Sequence, residues 1–279
     1  MATTDVHHIV GSLVPSRAAA VFLGGAVDDA IQIDTFAAGR VTANDTKGTF
    51  TAWINVPDIT GTYAVISCGD ASAVEYISLS VVAGKIRIVC TDATVLQYSH
   101  ASTSVVLKPH VWHHIALVQD GVDAVGNPPL LYVDGVRVAT TMTDETDNGT
   151  WFDDCALLDG ASIGAAEDGG DGGLTDEFKG AISDVKYWNT NLSDAQILDD
   201  YKGKALTTNL VAHWDMKDDF VESVTGYSGT KVGDVILSNA YSEFTSRLRH
   251  TPSALAVVAD KIVLSCDRDI GHAIIIKAA

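Results

Sequence analysis

The sequence predicts an all-β chain folded as a two-sheet antiparallel jelly-roll sandwich, with one short helix and a C-terminal β extension. Three observations carry this. Segments between residues 20 and 140 read almost wholly as strands, and the clearest of them alternates with period two. They are joined by turn residues, among them many of the 24 glycines. One stretch alone stands out as a helix with start and stop signals. Of the 279 residues 47% are apolar, enough to bury a real core, and a charged fraction of 19% is too low for a highly charged disordered chain.

In chain order, residues 1–19 have little pattern and carry Gly11 and Pro15, which reads as an N-terminal arm. Phe50–Val56 alternates, with Phe50, Ala52, Ile54 and Val56 on one face and Thr51, Trp53 and Asn55 on the other. Trp53 on the more polar face predicts a central strand covered on both sides. Further strands are expected at Tyr63–Cys68, Tyr76–Val82, Lys85–Cys90, Trp112–Gln119, Leu130–Val133 and Val136–Thr140. Asp134-Gly135 and Ala83-Gly84 each separate two apolar runs and predict two-residue hairpin turns. Asp120-Gly121 opens a longer reversal through Asn127-Pro128-Pro129.

The helix is expected at Ser193–Tyr201. Ser193 and Gln196 form a capping box, Leu192 and Ile197 a hydrophobic staple, and Gly203 the stop. Leu210–Met216 and Val232–Leu237 read as strands again, and Ser253–Ala259, Lys261–Cys266 and His272–Lys277 as an apolar C-terminal set. That set either completes the sandwich or docks on a neighbouring chain by strand addition. The expected organisation is an arm over 1–19, a sandwich over 20–240 and a β-hairpin extension over 241–279.

Lys and Arg total 18 against 36 Asp and Glu, a formal net charge of −18. Such a surface repels nucleic-acid phosphates and anionic membranes; it suits solubility at high ionic strength or cation binding. Cys68, Cys90, Cys155 and Cys266 form no Cys-x-x-Cys pair and read as buried free thiols. The first residues lack the basic start and apolar core of a secretory leader, and no run is apolar enough to span a bilayer. The expected site of synthesis is therefore a cytoplasm, with any work outside reached by lysis, by particle assembly or without a conventional leader.

Trp112–Gly121 with Leu131–Val136, Ser162-Ile163-Gly164, Phe178–Trp188 and the Leu192–Ile197 helix resemble, in this order, the core of laminin-G-like domains of the concanavalin-A-like superfamily. Val27–Ile33 and Phe50–Val56 resemble the opening strands, so the likeness spans roughly 20–203. Asn209–Trp214 resembles the family's usual first strand, which implies a permuted arrangement: Leu210–Trp214 beside the N-terminal strands of its own sandwich, or handed to a second subunit.

The resemblance raises three chemical questions. Glycoside hydrolases of this fold carry carboxylates in a Glu-x-Asp-x-x-Glu pattern on one strand face. Here Glu145-x-Asp147 begins such a pattern, but Thr150 stands where the last acid should be. His110 and His114 are four apart, with Val111 where a metalloprotease carries Glu, and read as core or surface histidines. Many laminin-G relatives hold one Ca²⁺ at the sandwich rim, which makes Asp28, Asp168, Asp171 and Asp176 candidate ligands; the plain alternative is a solvated acidic loop.

A glycan site needs an exposed aromatic beside polar groups. Trp151, with Asp147 and Asn148, is the candidate, and packing of Trp151 beneath its own loop is the alternative. The leading functional expectation is a non-enzymatic structural or adhesive component of a bacteriophage virion, a capsid decoration or tail-associated module. Its partners would be a capsid or tail protein or a cell-surface glycan, in a homo-oligomer, without nucleic acid or membrane. The alternative is an extracellular lectin or carbohydrate-binding module; a glucanase-type hydrolase is the weakest reading.

Overall fold

The computed structural model describes residues 17–23, 29–70, 75–124, 127–167, 173–241, 257–258, 261–264 and 274–277. The chain runs β1 (Arg17–Phe22), β2 (Ala30–Gln32), α1 (Asp34–Ala43), β3 (Gly48–Asn55), β4 (Thr62–Gly69), β5 (Tyr76–Val82), β6 (Lys85–Asp92) and β7 (Val95–Ser102). It continues through β8 (Trp112–Gln119), β9 (Leu130–Val133), β10 (Val136–Arg137), β11 (Thr140–Glu145), β12 (Gly160–Ile163), β13 (Gly180–Trp188), α2 (Asp194–Tyr201), β14 (Leu210–Trp214), β15 (Thr230–Val232) and β16 (Ile236–Tyr241). β17 (Val257–Val258), β18 (Lys261–Leu264) and β19 (Ile274–Lys277) follow.

One compact unit, Ser12–Glu243, holds the sandwich. Its first sheet has the order β10-β9-β8-β3-β13-β1-β16, and its second β11-β7-β6-β5-β4-β12-β2-β15. Alternate side chains meet between them. Phe50, Ala52 and Ile54 of β3 and Ile115 and Leu117 of β8 share one core with Ile77, Leu79 and Val81 of β5 and Ile86 and Ile88 of β6. The two-residue side-chain period of a strand is what sends the intervening residues to the outer faces.

The turns follow their chemistry. Asp134-Gly135 and Ala83-Gly84 have φ of 52° and 77°, and 49° and 73°, the double left-handed pattern of a two-residue hairpin. Gly164 has φ 90°, and a Cβ there would collide with the Phe22 ring, so glycine is required on both counts.

α2 lies on the outer face of the first sheet, where Leu192 and Ile197 pack with Ala116, Val118, Tyr132 and Trp188. Its capping box is formed: Ser193 Oγ accepts from the Gln196 N–H at 3.4 Å, and Gln196 Oε1 accepts from the Ser193 N–H at 3.0 Å. Trp53 is covered on this face as expected, stacked on Tyr201 with centroids 5.5 Å apart.

β14 pairs with β13 through Val185–Trp188, while β1 pairs with Gly180–Ile182 of the same strand. β3 occupies the other edge of β13 along both stretches. Leu210–Trp214 therefore completes its own sandwich, end to end with β1, as the permuted arrangement requires.

Four expectations are corrected. β1 begins at Arg17, so the last residues of the expected arm are strand; the rest of the arm lies outside the described residues. A second helix, α1, precedes β3. It has no side-chain cap and carries Gly39 mid-helix, so local signals are weak. Tertiary contacts hold it: Phe36 and Ala37 are in the core, Asp34 Oδ1 accepts from the Ala161 N–H at 3.0 Å, and Arg40 pairs with Asp45 at 3.3 Å. Val136–Thr140 and Val232–Leu237 are each split, the first into β10 and the start of β11, the second into the end of β15 and the start of β16 across Gly233 at φ 68°. The C-terminal strands β17, β18 and β19 form a three-stranded antiparallel sheet rather than a hairpin, and they pair with one another. They belong to a second compact unit, which contains Phe244–Ala279.

Candidate functional site

The expected glycan platform is not a surface. Trp151 is fully buried, with Nε1 donating to the Tyr187 hydroxyl at 3.3 Å and its ring packed edge-on against Phe50 and Phe152. Asn148 is buried as well, and Asp147 is half-buried and accepts from the Gly149 N–H at 2.7 Å. Gln119 draws this loop inward, its amide donating to the carbonyl oxygens of Asn148 at 2.9 Å and Thr150 at 3.3 Å. Trp151 thus packs beneath its own loop.

Of the residues expected to ligate calcium, Asp28, Asp168 and Asp171 lie outside the described residues. Asp176 is exposed at φ 50°, and its carbonyl accepts from the Ala64 N–H at 2.7 Å. Among the described residues no three His, Cys, Asp or Glu side chains are grouped to hold an ion. Cys68, Cys90 and Cys155 are buried free thiols; Cys266 lies outside the described residues.

The densest charged cluster lies where α2 meets the first sheet. Asp200 is buried and accepts from Thr51 Oγ1 at 2.9 Å, His114 Nε2 at 3.0 Å and Lys186 Nζ at 2.9 Å. Lys186 also pairs with Asp184 at 2.9 Å, and Asp184 with His213 Nε2 at 2.6 Å. A bulge in β13 with Asp184 at φ 54° makes this possible. Burial alone would raise both carboxyls, but His213 and Lys186 hold Asp184 well below the carboxylate range, and His114 and Lys186 lower Asp200. Neither can serve as the protonated acid that glycoside hydrolysis needs. The cluster is a latch for α2.

His113 is equally committed. It accepts the Lys108 N–H on Nε2 at 3.0 Å, so its Nδ1 carries the proton given to Asp134 at 2.8 Å. A small cavity between the sheets is lined by Phe50, Ile66, Ser67, Cys68, Ile77, Leu79 and Leu117, none of them a carboxylate.

A different surface has uncommitted polar groups: the outer face of the second sheet over β5, β6 and β7. Register places Ser80 opposite Arg87 and Arg87 opposite Ala101. The next row is Ser78, Val89 and Ser99, and the one after it begins with Tyr76 and Thr91. All point away from the core because their neighbours Ile77, Leu79, Ile86, Ile88, Cys90 and Tyr98 point into it. The floor is therefore mostly Ser, Ala and Thr; Ser78, Ser80, Val89 and Thr91 are buried in it, and Tyr76, Arg87, Ser99 and Ala101 are half-buried and reach its surface. Ser80 is 2% exposed and its hydroxyl has no partner; Arg87 is half-buried, and its buried Nε has none either. Composition and motif reading missed this face. Its signal is the serine at alternate positions of Tyr76–Val82, set against Arg87 by the two-residue turn.

An antiparallel two-sheet jelly roll with a short helix on one outer face is a concanavalin-A-like β-sandwich. The chain belongs to the concanavalin A-like lectin/glucanases superfamily, whose family pattern it matches over residues 24–198. No curated protein sequence matches it. Among solved structures it resembles the leech intramolecular trans-sialidase, with 20% identity and a TM-score of 0.52 over 74% of this chain and 31% of that one. It also resembles the NanB sialidase from Streptococcus pneumoniae, with 17% identity and a TM-score of 0.52 over 67% and 28%. A third neighbour is the Ruminococcus gnavus IT-sialidase CBM40 bound to α2,6-sialyllactose, with 14% identity and a TM-score of 0.51 over 67% and 98%. The chain thus corresponds to under a third of each of the two sialidases and to nearly all of the CBM40. Among the described residues no helix is long and apolar enough to cross a membrane.

Proposed function

We propose that this chain is a non-enzymatic carbohydrate-binding module that takes glycan on the outer face of its second sheet. The observation that carries the reading is the row of small polar side chains over β5–β7, with the Ser80 hydroxyl and the Arg87 Nε both buried and without partners. Buried polar groups are normally hydrogen-bonded, so two uncommitted groups in adjoining strands suit a polar ligand. The module matched in the R. gnavus sialidase is a precedent for glycan on this fold, and the structural match aligns with less than a third of the two larger sialidase chains. This reading replaces the virion component as the leading one, since the latter drew on chain organisation and on no described side chain. The extracellular setting goes with the glycan. We further propose Ca²⁺ for the 167–177 loop, with Asp28, Asp168, Asp171 and Asp176 as its ligands.

The test is a glycan array with the purified chain and a Ser99→Tyr variant. Ser99 is half-buried on the floor, and a phenol there fills the space above Val89. The expected result is a loss of at least about tenfold in affinity, roughly 1.4 kcal/mol, at unchanged melting temperature. Undiminished binding by the folded variant would move the glycan elsewhere, and absence of binding to any glycan would end the reading.

A further inference from the structure

Resting on the glycan-binding reading, we infer that this face selects carboxylate-bearing sugars and that Arg87 is the residue that pairs with the acid group. The argument begins with what the other arginines do. Arg17 lies 3.5 Å over the Trp53 ring, with Asp184 and Asp200 as its nearby acids. Arg40 pairs with Asp45 at 3.3 Å and donates to the Tyr227 hydroxyl at 2.6 Å. Arg137 is exposed at the β9–β10 hairpin. Among the described arginines, Arg87 alone is half-buried in mid-sheet with no hydrogen bond or ion pair from its side chain.

In a chain of net charge −18 acids are abundant, yet none pairs with Arg87. The pairing pattern accounts for it. The residues directly across from Arg87 are Ser80 and Ala101, and neither brings a carboxylate. A guanidinium is always charged and offers five N–H donors in a planar fork, and leaving its buried Nε unpaired costs free energy. A carboxylate is the ligand that matches the fork in charge and shape, through two parallel N–H···O bonds.

The small floor residues let a ring approach closely. Tyr76 lies two rows along, about 13 Å by the strand rise from the row of Ser80 and Arg87, where it can meet a second sugar. The negative surface elsewhere repels acids at long range, which leaves the half-buried Arg87, with no internal partner, as the place on this face where an acidic glycan is admitted.

The test measures binding of one sialylated oligosaccharide and one uronate-containing oligosaccharide, each against its methyl ester and its neutral parent, by calorimetry on the full chain. Wild type should prefer at least one free acid to its own ester by tenfold or more, and the two arms identify which acid sugar is taken. Arg87→Ala should remove that preference and Arg87→Lys should keep a reduced part of it, because a point charge replaces the fork. Circular dichroism and melting establish that both variants are folded; Arg87→Gln replaces either one that is not. Equal binding of acid, ester and neutral parent by wild type would overturn the inference while leaving the glycan reading intact. So would an acid preference that survives in folded Arg87→Ala. No binding of any sugar by wild type would remove the glycan reading and the inference together.

Discussion

Gln119, at the end of β8, gives its amide to the carbonyls of Asn148 and Thr150 and accepts the Gly121 N–H at 3.0 Å. That one side chain turns a Gly- and Asp-rich loop into a lid whose tryptophan faces the core. The polar composition of 147–154 describes how the loop's ends meet solvent and says nothing of where the indole goes. Trp151 also closes over Gly48, where a Cβ would lie 2.9 Å from the indole Nε1. Trp151→Ala is therefore a core truncation and should destabilise the fold by about 3–5 kcal/mol. A melt should show Tm lower by roughly 10 °C for a chain of this size, and sugar affinity measured well below that Tm should be unchanged. A variant that keeps the wild-type Tm would contradict the burial.

At the scale of elements, α2 is written in its capping box, but what it docks on is decided by Asp200. Its carboxylate, 2% exposed, reaches Thr51, His114 and Lys186 on three different strands. Asp200→Asn removes the charge at constant shape and should cost roughly 3 kcal/mol, because Lys186 loses a buried counter-ion and the Thr51 and His114 hydrogen bonds lose their charged acceptor. The pH dependence has a definite sign. Asp184 and Asp200 are lowered in the fold, so their stabilisation is complete above the ordinary carboxylate value of about 3.9 and is lost as pH falls through the lowered one. Acid titration of the melting temperature should show a decline below about pH 4 that is shallower in Asp200→Asn. Equal slopes would show that the latch carries no such linkage.

The turns explain which strands could be read. Asp134-Gly135 and Ala83-Gly84 announce their hairpins. β7 is silent because Ala93 and Thr94, at φ 44° and 73°, make its turn without glycine. Once the Ala83-Gly84 turn is taken as two residues, Val82 meets Lys85 and Ser80 meets Arg87, as observed. The pairing at the proposed site was thus latent in the sequence. That neither group finds an internal partner was not, since that depends on every strand around them.

At the scale of the whole molecule, the excess of acid acts on ligands and ions more than on the fold. The proposed calcium site is tested here, since an ion bound to the folded state raises stability by mass action. With Ca²⁺ at about a hundred times its dissociation constant the gain is near 2.7 kcal/mol, which would raise Tm by several degrees and be reversed by chelator. No shift at millimolar Ca²⁺ would remove the 167–177 loop as a calcium site.

Period-two alternation, hairpin dipeptides and one capping box were enough, from sequence alone, to set the two-sheet sandwich, most of its strands and α2, because each is a local consequence of backbone geometry. Contacts between residues far apart in the chain decided the rest. They placed Trp151 inside, held α1 against its weak propensity, set β14 end to end with β1, and left Arg87 without an acid. Burial and charge pairing are sums over neighbours that only the folded chain brings together.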